Sequence, residues 1–175
     1  MNAQHLPLIH QLLTDTEQIN LPIWLGGGWA VDARLGHITR EHEDIDLAVP
    51  AERMDEFIVL LQTYGAGAIE QTDYGFLVTV AGVLLDCEPC ERGPDAYEID
   101  GVPAGACPLA KEGVIDGVAV LCISWHAILW DYFYYLQEVP YADWPAKDKA
   151  SYAVVRQAIG EAQVEAWHDL FRRSQ

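Results

Sequence analysis

Asp44-Ile45-Asp46 sets two carboxylates at positions i and i+2 of an alternating segment, Asp44-Ile45-Asp46-Leu47-Ala48-Val49, that stops at Pro50. Side chains two residues apart on a strand point to the same face, so both acids look one way. A pair so placed can share divalent cations, and magnesium takes one or two carboxylates together with waters and substrate phosphate oxygens. A second apolar run, Val83-Leu84-Leu85-Asp86-Cys87-Glu88, brings a third acid, Asp86, with Glu88 on its face. Three acids in a low-dielectric cleft repel one another, a cost that two-metal phosphoryl transfer turns to use. In that chemistry Asp44, Asp46 and Asp86 are the metal ligands, two magnesium ions are bound, and Asp86 accepts the proton of an attacking hydroxyl while pyrophosphate leaves.

Upstream of the acid pair, Ile23-Trp24-Leu25 runs into Gly26-Gly27-Gly28, and Trp29 to Leu35 then resumes a helical pattern that ends at Gly36. Glycines let the backbone approach a phosphate, and the N–H groups that open a helix point their partial positive charge at it. Gly27 and Gly28 are therefore nucleotide-binding candidates, and Arg40, in the loop before Asp44, is a further candidate for a phosphate contact. A loop Arg or His is more often simply solvated, and His42 is rated below Arg40 on that ground.

The elements that must position these groups follow from periodicity. Leu6 to Ile19 reads as an amphipathic helix broken at Asn20-Leu21-Pro22, and Glu52 to Tyr64 as another. Phe76 to Val80 and Val83 to Glu88 read as strands joined by a tight hairpin at Ala81-Gly82. Arg92 to Gly117, rich in Gly and Pro, reads as an irregular middle. From Ser124 the pattern is helical: Trp125 to Leu136, Lys147 to Ile159 and Glu161 to Arg173, with an interruption from Val139 to Pro145. The expectation is an α+β fold, with a small mixed sheet and packed helices over 1–100 and then a helical lobe over 101–175.

Composition narrows the partners. The 175 residues carry 10 Lys and Arg against 27 Asp and Glu, a formal charge of −17. Such a surface lacks the clustered cations that track a nucleic-acid backbone, and favours metal ions and polycationic small molecules. Cys87-Glu-Pro-Cys90 has half of a zinc or redox spacing, but with no second pair at zinc spacing, buried free thiols are the expected state of Cys87, Cys90, Cys107 and Cys122. Neither a leader at Met1 to Leu13 nor a bilayer-length apolar run is evident, so no membrane partner and a cytoplasmic location are expected. The expected oligomeric state is a monomer.

Gly27-Gly28, then Asp44-Ile45-Asp46, then Leu85-Asp86 resembles the nucleotidyltransferase signature of the DNA polymerase β superfamily. Pro22 to Gly36, Asp44 to Leu47, Asp73-Tyr74-Gly75-Phe76, Leu85 to Pro89, Trp130 to Tyr135 and Asp143 to Lys147 together resemble the aminoglycoside 2″-nucleotidyltransferases, colinearly along the whole chain. Cys90 to Gly93 and Ile99 to Lys111 depart from that pattern. The resemblance implies transfer of AMP from MgATP to the 2″-hydroxyl of gentamicin-, kanamycin- or tobramycin-type antibiotics, and hence antibiotic resistance. It implies a nucleotidyltransferase domain of the polymerase-β type over 1–100 and substrate binding by the helical lobe over 101–175. It also implies amine contacts from Glu88 and Asp131 and a phosphate contact from Lys147. The rings of Tyr74, Tyr134 and Tyr135 suit sugar or base faces. Asp131, set among aromatics, is costly to bury unless paired, which favours a cationic partner. Most of the aromatic cluster from Trp125 to Tyr135 is expected to be core. Two other readings remain: transfer to a lincosamide or another small hydroxylated molecule, which keeps the same acids, and a nucleotide-binding module without turnover, which would more naturally have lost one of the three.

Overall fold

A computed structural model describes residues 2–175, which form two compact units, one ending at Ile123 and the other spanning Ser124–Gln175. The first unit runs α1 (Asn2–Gln18), β1 (Trp24–Leu25), α2 (Gly27–Leu35), β2 (Asp44–Pro50), a 3-10 turn, α3 (Met54–Thr63), β3 (Glu70–Gln71), β4 (Phe76–Val80), β5 (Val83–Arg92), β6 (Ala96–Glu98), β7 (Cys107–Pro108), β8 (Gly113–Ile115) and β9 (Val118–Val120). Its sheet has the order β1-β2-β5-β4-β3, with β2 and β5 parallel at the centre and antiparallel neighbours on both sides.

The strands owe their two faces to alternation. Ile45, Leu47 and Val49 of β2, Leu85 and Cys87 of β5, and Phe76, Val78 and Val80 of β4 are all buried, as are Phe57 and Leu61 of α3. The residues between them on β2 and β5 include the acids. β4 and β5 join through Ala81 and Gly82, both at positive φ (50° and 81°), the geometry of a two-residue hairpin whose twist matches that of its strands.

Three elements depart from the sequence expectation. α1 begins at Asn2 rather than Leu6 and carries Pro7 inside it; Ala3 and Pro7 are exposed, so the carbonyl that Pro7 leaves without its helical N–H faces water. The stretch from Arg92 to Gly117 is not irregular throughout, since β6, β7 and β8 lie in it. The units also divide after Ile123, not after 100. Residues 101–123 are fastened to the first unit by the indole of Trp24, which donates to the Pro108 carbonyl (2.7 Å), and by backbone bonds from Leu25 to Leu121 (3.1 Å) and from Ile123 to Leu25 (3.0 Å).

The second unit consists of α4 (Trp125–Glu138), a 3-10 turn, α5 (Ala146–Ile159) and α6 (Glu161–Ser174). Ser124 caps α4 by accepting from the Ala127 N–H. Trp130 and Phe133 of α4 are buried against Phe171 of α6, and Tyr135 stacks on buried Trp144 at 4.5 Å. Of the rings from Trp125 to Tyr135 only Trp130 and Phe133 are buried; Trp125, Tyr132, Tyr134 and Tyr135 are half-buried, so fewer of them are core than the sequence suggests. Among the described residues, no helix is long and apolar enough to cross a membrane.

Candidate active site

Parallel pairing of β2 with β5 sets Asp46 directly opposite Asp86, with Asp44 opposite Leu84 and Ala48 opposite Glu88. Asp44, Asp46, Asp86 and Glu88 therefore share the face that the buried Ile45, Leu47, Leu85 and Cys87 leave. All four acids are half-buried. Burial, and then the charges of Asp44, Asp86 and Glu88, push the Asp46 carboxyl up to about 7. Asp86 is also raised, chiefly by burial and further by Asp44, while a hydrogen bond from the Tyr74 hydroxyl (2.9 Å) works the other way. Among the described residues no Lys, Arg or His forms an ion pair with Asp44, Asp46 or Asp86. Nor, among them, are three His, Cys, Asp or Glu side chains gathered into a ready-made metal cage. What the face offers is hard carboxylate oxygens under mutual repulsion, a donor set that suits magnesium completed by waters and phosphate oxygens.

Gly27 and Gly28 do not form a turn ahead of the helix, as the sequence suggested, but are the first residues of α2, with Gly26 as its N-cap. Gly26 N–H donates to the Asp46 carbonyl (2.8 Å), which fixes the start of the helix to the acid strand. At Gly27 (φ +45°) a Cβ would fall 1.9 Å from Asp46 Oδ2. At Gly28 it would fall 2.5 Å from Nδ1 of His42 and 2.8 Å from Nη2 of Arg40. The bare first turn thus lies between the acid face on one side and Arg40 on the other, with its free N–H groups available to an anion.

Tyr74 reaches Asp86 from the loop before β4, and it stays more than half exposed. Gly75 fixes that loop: a Cβ there would meet the Cys87 carbonyl at 2.0 Å, so only glycine lets the two backbones approach. Cys87 and Cys90 lie three apart on β5, which sends them to opposite faces; both are buried and free, and neither they nor Cys107 and Cys122 form a disulfide.

In the second unit Tyr134 meets Phe171 edge-on at 5.0 Å, and Tyr135 lies flat on Trp144. Asp131 is exposed, not buried, so the cost of burying it is no argument for a cationic partner. Lys147 is exposed in the first turn of α5.

Sequence reasoning missed a buried group beside the acids. Asp32 on α2 and His42 are fully buried and joined at 2.6 Å, and the Trp29 indole donates to the Asp44 carbonyl (3.1 Å). The available signal was an Asp inside the apolar run Trp29-Ala30-Val31-Asp32-Ala33, since a carboxylate on a buried helix face needs a partner.

Residues 8–158 match the family model of the aminoglycoside-2″-adenylyltransferases. A 2″-aminoglycoside nucleotidyltransferase of Klebsiella pneumoniae is 49% identical over 172 residues, covering 98% of this chain and 97% of that protein. The crystal structure of ANT(2″)-Ia in complex with adenylyl-2″-tobramycin superposes with a TM-score of 0.95 at 48% identity, covering 97% of this chain and 98% of that one. The lincomycin-bound lincosamide adenylyltransferase LnuA shares the fold, with a TM-score of 0.63 at 20% identity over 85% of this chain and 94% of that one.

Proposed function

The chain belongs to the aminoglycoside-2″-adenylyltransferase family, and on that premise we propose that it transfers AMP from MgATP to the 2″-hydroxyl of a gentamicin-, kanamycin- or tobramycin-type aminoglycoside, releasing pyrophosphate and inactivating the antibiotic. The observation that carries this reading within the molecule is the strand register: Asp46 and Asp86 lie side by side, and Asp46 is driven to about 7 by burial and by three neighbouring acids. Such a face gains most from a divalent cation and a phosphate chain.

Asp44, Asp46 and Asp86 are the groups that would hold magnesium, in the two-ion arrangement. When bound, the metal offsets the charge on the triphosphate and on the transferring phosphoryl group. The other tasks fall to the chain itself. Gly27, Gly28 and Arg40 receive the phosphates at the first turn of α2, with Lys147 as a further phosphate contact. The acceptor oxygen forms a bond to the α-phosphorus, the bond to pyrophosphate breaks, and Asp86 takes the hydroxyl proton. A carboxyl raised by burial suits that task, because a base works best when its pKa is closer to the operating pH. Glu88 and Asp131 accept hydrogen bonds from the amines, and the rings of Tyr74, Tyr134 and Tyr135 pack on sugar or base faces. The charge of −17 favours a multiply cationic acceptor over nucleic acid. The enzyme is read as a cytoplasmic monomer.

Pyrophosphate release tests the reading, measured with MgATP and a panel of aminoglycosides carrying or lacking the 2″-hydroxyl, with lincomycin alongside. Release confined to acceptors with a free 2″-hydroxyl is expected. Release with lincomycin alone would move the acceptor class, and release from acceptors that lack the 2″-hydroxyl would move the position of transfer.

A further inference from the structure

Beneath the first turn of α2 lies a buried pair that the transfer scheme leaves unused. Nε2 of His42 and Oδ2 of Asp32 are 2.6 Å apart, with side chains 2% and 0% exposed. The other Asp32 oxygen accepts both from the backbone N–H of Thr39 (3.0 Å) and from its hydroxyl (2.6 Å). The imidazole lies on the Trp29 indole with centroids 4.4 Å apart. His42 N–H donates to Asn2 Oδ1 (2.8 Å), and Asn2 Nδ2 donates to the Arg40 carbonyl (2.7 Å). The loop from Thr39 to His42 is therefore fastened to α2 on one side and to α1 on the other.

Because Asp32 holds Nε2, the opposite edge of the ring is turned to Gly28. A Cβ on Gly28 would lie 2.5 Å from Nδ1, 2.7 Å from Cε1 and 2.8 Å from Nη2 of Arg40, so the imidazole and the guanidinium converge on one bare Cα. Asp32 stands four residues after Gly28, on the same side of the helix. One rigid helix thus carries both the turn that faces the phosphates and the carboxylate that grips the loop bearing Arg40.

We propose that Asp32 and His42 are a positioning pair for the nucleotide: together they form the floor under Gly28 and hold Arg40 and the first-turn N–H groups where the phosphates dock. This rests on the adenylyl-transfer reading and adds to it two residues that touch neither substrate. They act through Gly28 and Arg40, and displacements of about 1 Å in such supports are enough to cost about two orders of magnitude in rate.

Asp32→Asn and His42→Ala in the full chain provide the test, with MgATP and aminoglycoside varied in turn. The expected result is a KM for MgATP raised at least tenfold in each variant, a KM for aminoglycoside within twofold of wild type, and a double variant little worse than either single one, since the two residues form one device. A lowered Tm with both KM values unchanged would reduce the pair to packing and overturn the proposal. Should neither variant fold, wild-type protein with 15N-labelled histidine decides. The His42 ring resonances are expected to move on addition of Mg2+ with a non-hydrolysable ATP analogue and to stay in place with aminoglycoside alone; resonances indifferent to the nucleotide would overturn it. If wild type released no pyrophosphate with any acceptor, the transfer reading would fail separately, and the Kd of the analogue would carry the test: tenfold weaker in the variants supports the pair, unchanged overturns it.

Discussion

Two groups of acids lie in the first unit in opposite electrostatic circumstances. Asp32, under α2, is fully buried yet has both oxygens engaged, one by His42 and the other twice by Thr39. Asp46, on the β2–β5 face, keeps part of its surface in water, yet the charges that act on it are those of three more carboxylates. The more buried acid is the satisfied one, so burial alone does not single out a functional carboxylate. The distinguishing sign is repulsion left standing, which a fold tolerates where function needs it and which a cation would relieve.

Asparagine at each position should break the symmetry between them. Asp46→Asn removes a ligand together with a repulsive charge, so turnover should fall at least about 1,000-fold while stability rises by about 1–2 kcal/mol. Steady-state rates alongside chemical denaturation would check both halves, and retained turnover would remove Asp46 from the metal site. Asp32→Asn should do the reverse to stability, costing about 3 kcal/mol because one of its two acceptor oxygens becomes an amide NH2, which leaves either His42 or Thr39 facing a donor in place of its acceptor. A denaturation midpoint equal to that of wild type would contradict it.

Metal-free protein sharpens the contrast through pH. Asp46 sits at about 7 in the folded chain and near 4 when unfolded, so between those values the folded state holds a proton that the unfolded state has released. Its contribution is fully present below about pH 4 and is lost as pH rises through about 7. With partial exposure screening the effect, a fall of about 1–2 kcal/mol in stability is expected, read from denaturant melts between pH 4 and 8. In Asp46→Asn the slope should shrink to the smaller part that Asp86, also raised by burial, contributes. Smallest of all is Tyr74→Phe, which deletes one half-exposed hydrogen bond to Asp86: stability should change by less than about 1 kcal/mol, and turnover several-fold at most.

The acid face was legible because its signal is local. Alternation around Asp44-x-Asp46 and Leu85-Asp86-Cys87-Glu88 dictates which side each residue takes, and the hairpin at Ala81-Gly82 needed only two positive φ values. The strand-helix order around the glycines was legible too, but the N-cap was not, because Gly26 is pinned by the carbonyl of Asp46, a residue twenty positions away. The same limit hid the true reach of the first unit. β6, β7 and the strands up to Ile123 are short, and their places are set by long-range bonds such as that from Trp24 to Pro108 rather than by periodicity. Asp32 and His42 stayed hidden for a further reason. Each alone looks like an ordinary polar residue, and their meaning lies in a contact between a helix and a loop.

Repulsion on the β2–β5 face, on this reading, is held for a metal-bound nucleotide. The most direct measurement is the Tm shift caused by Mg2+ with a non-hydrolysable ATP analogue, in wild type and in Asp46→Asn, at pH 7.5. Saturation near 100 times Kd corresponds to about 2.7 kcal/mol of stabilisation, which for this chain length is a rise of several degrees. That rise is expected in wild type, with its near-complete loss in Asp46→Asn. An equal rise in both proteins would contradict it.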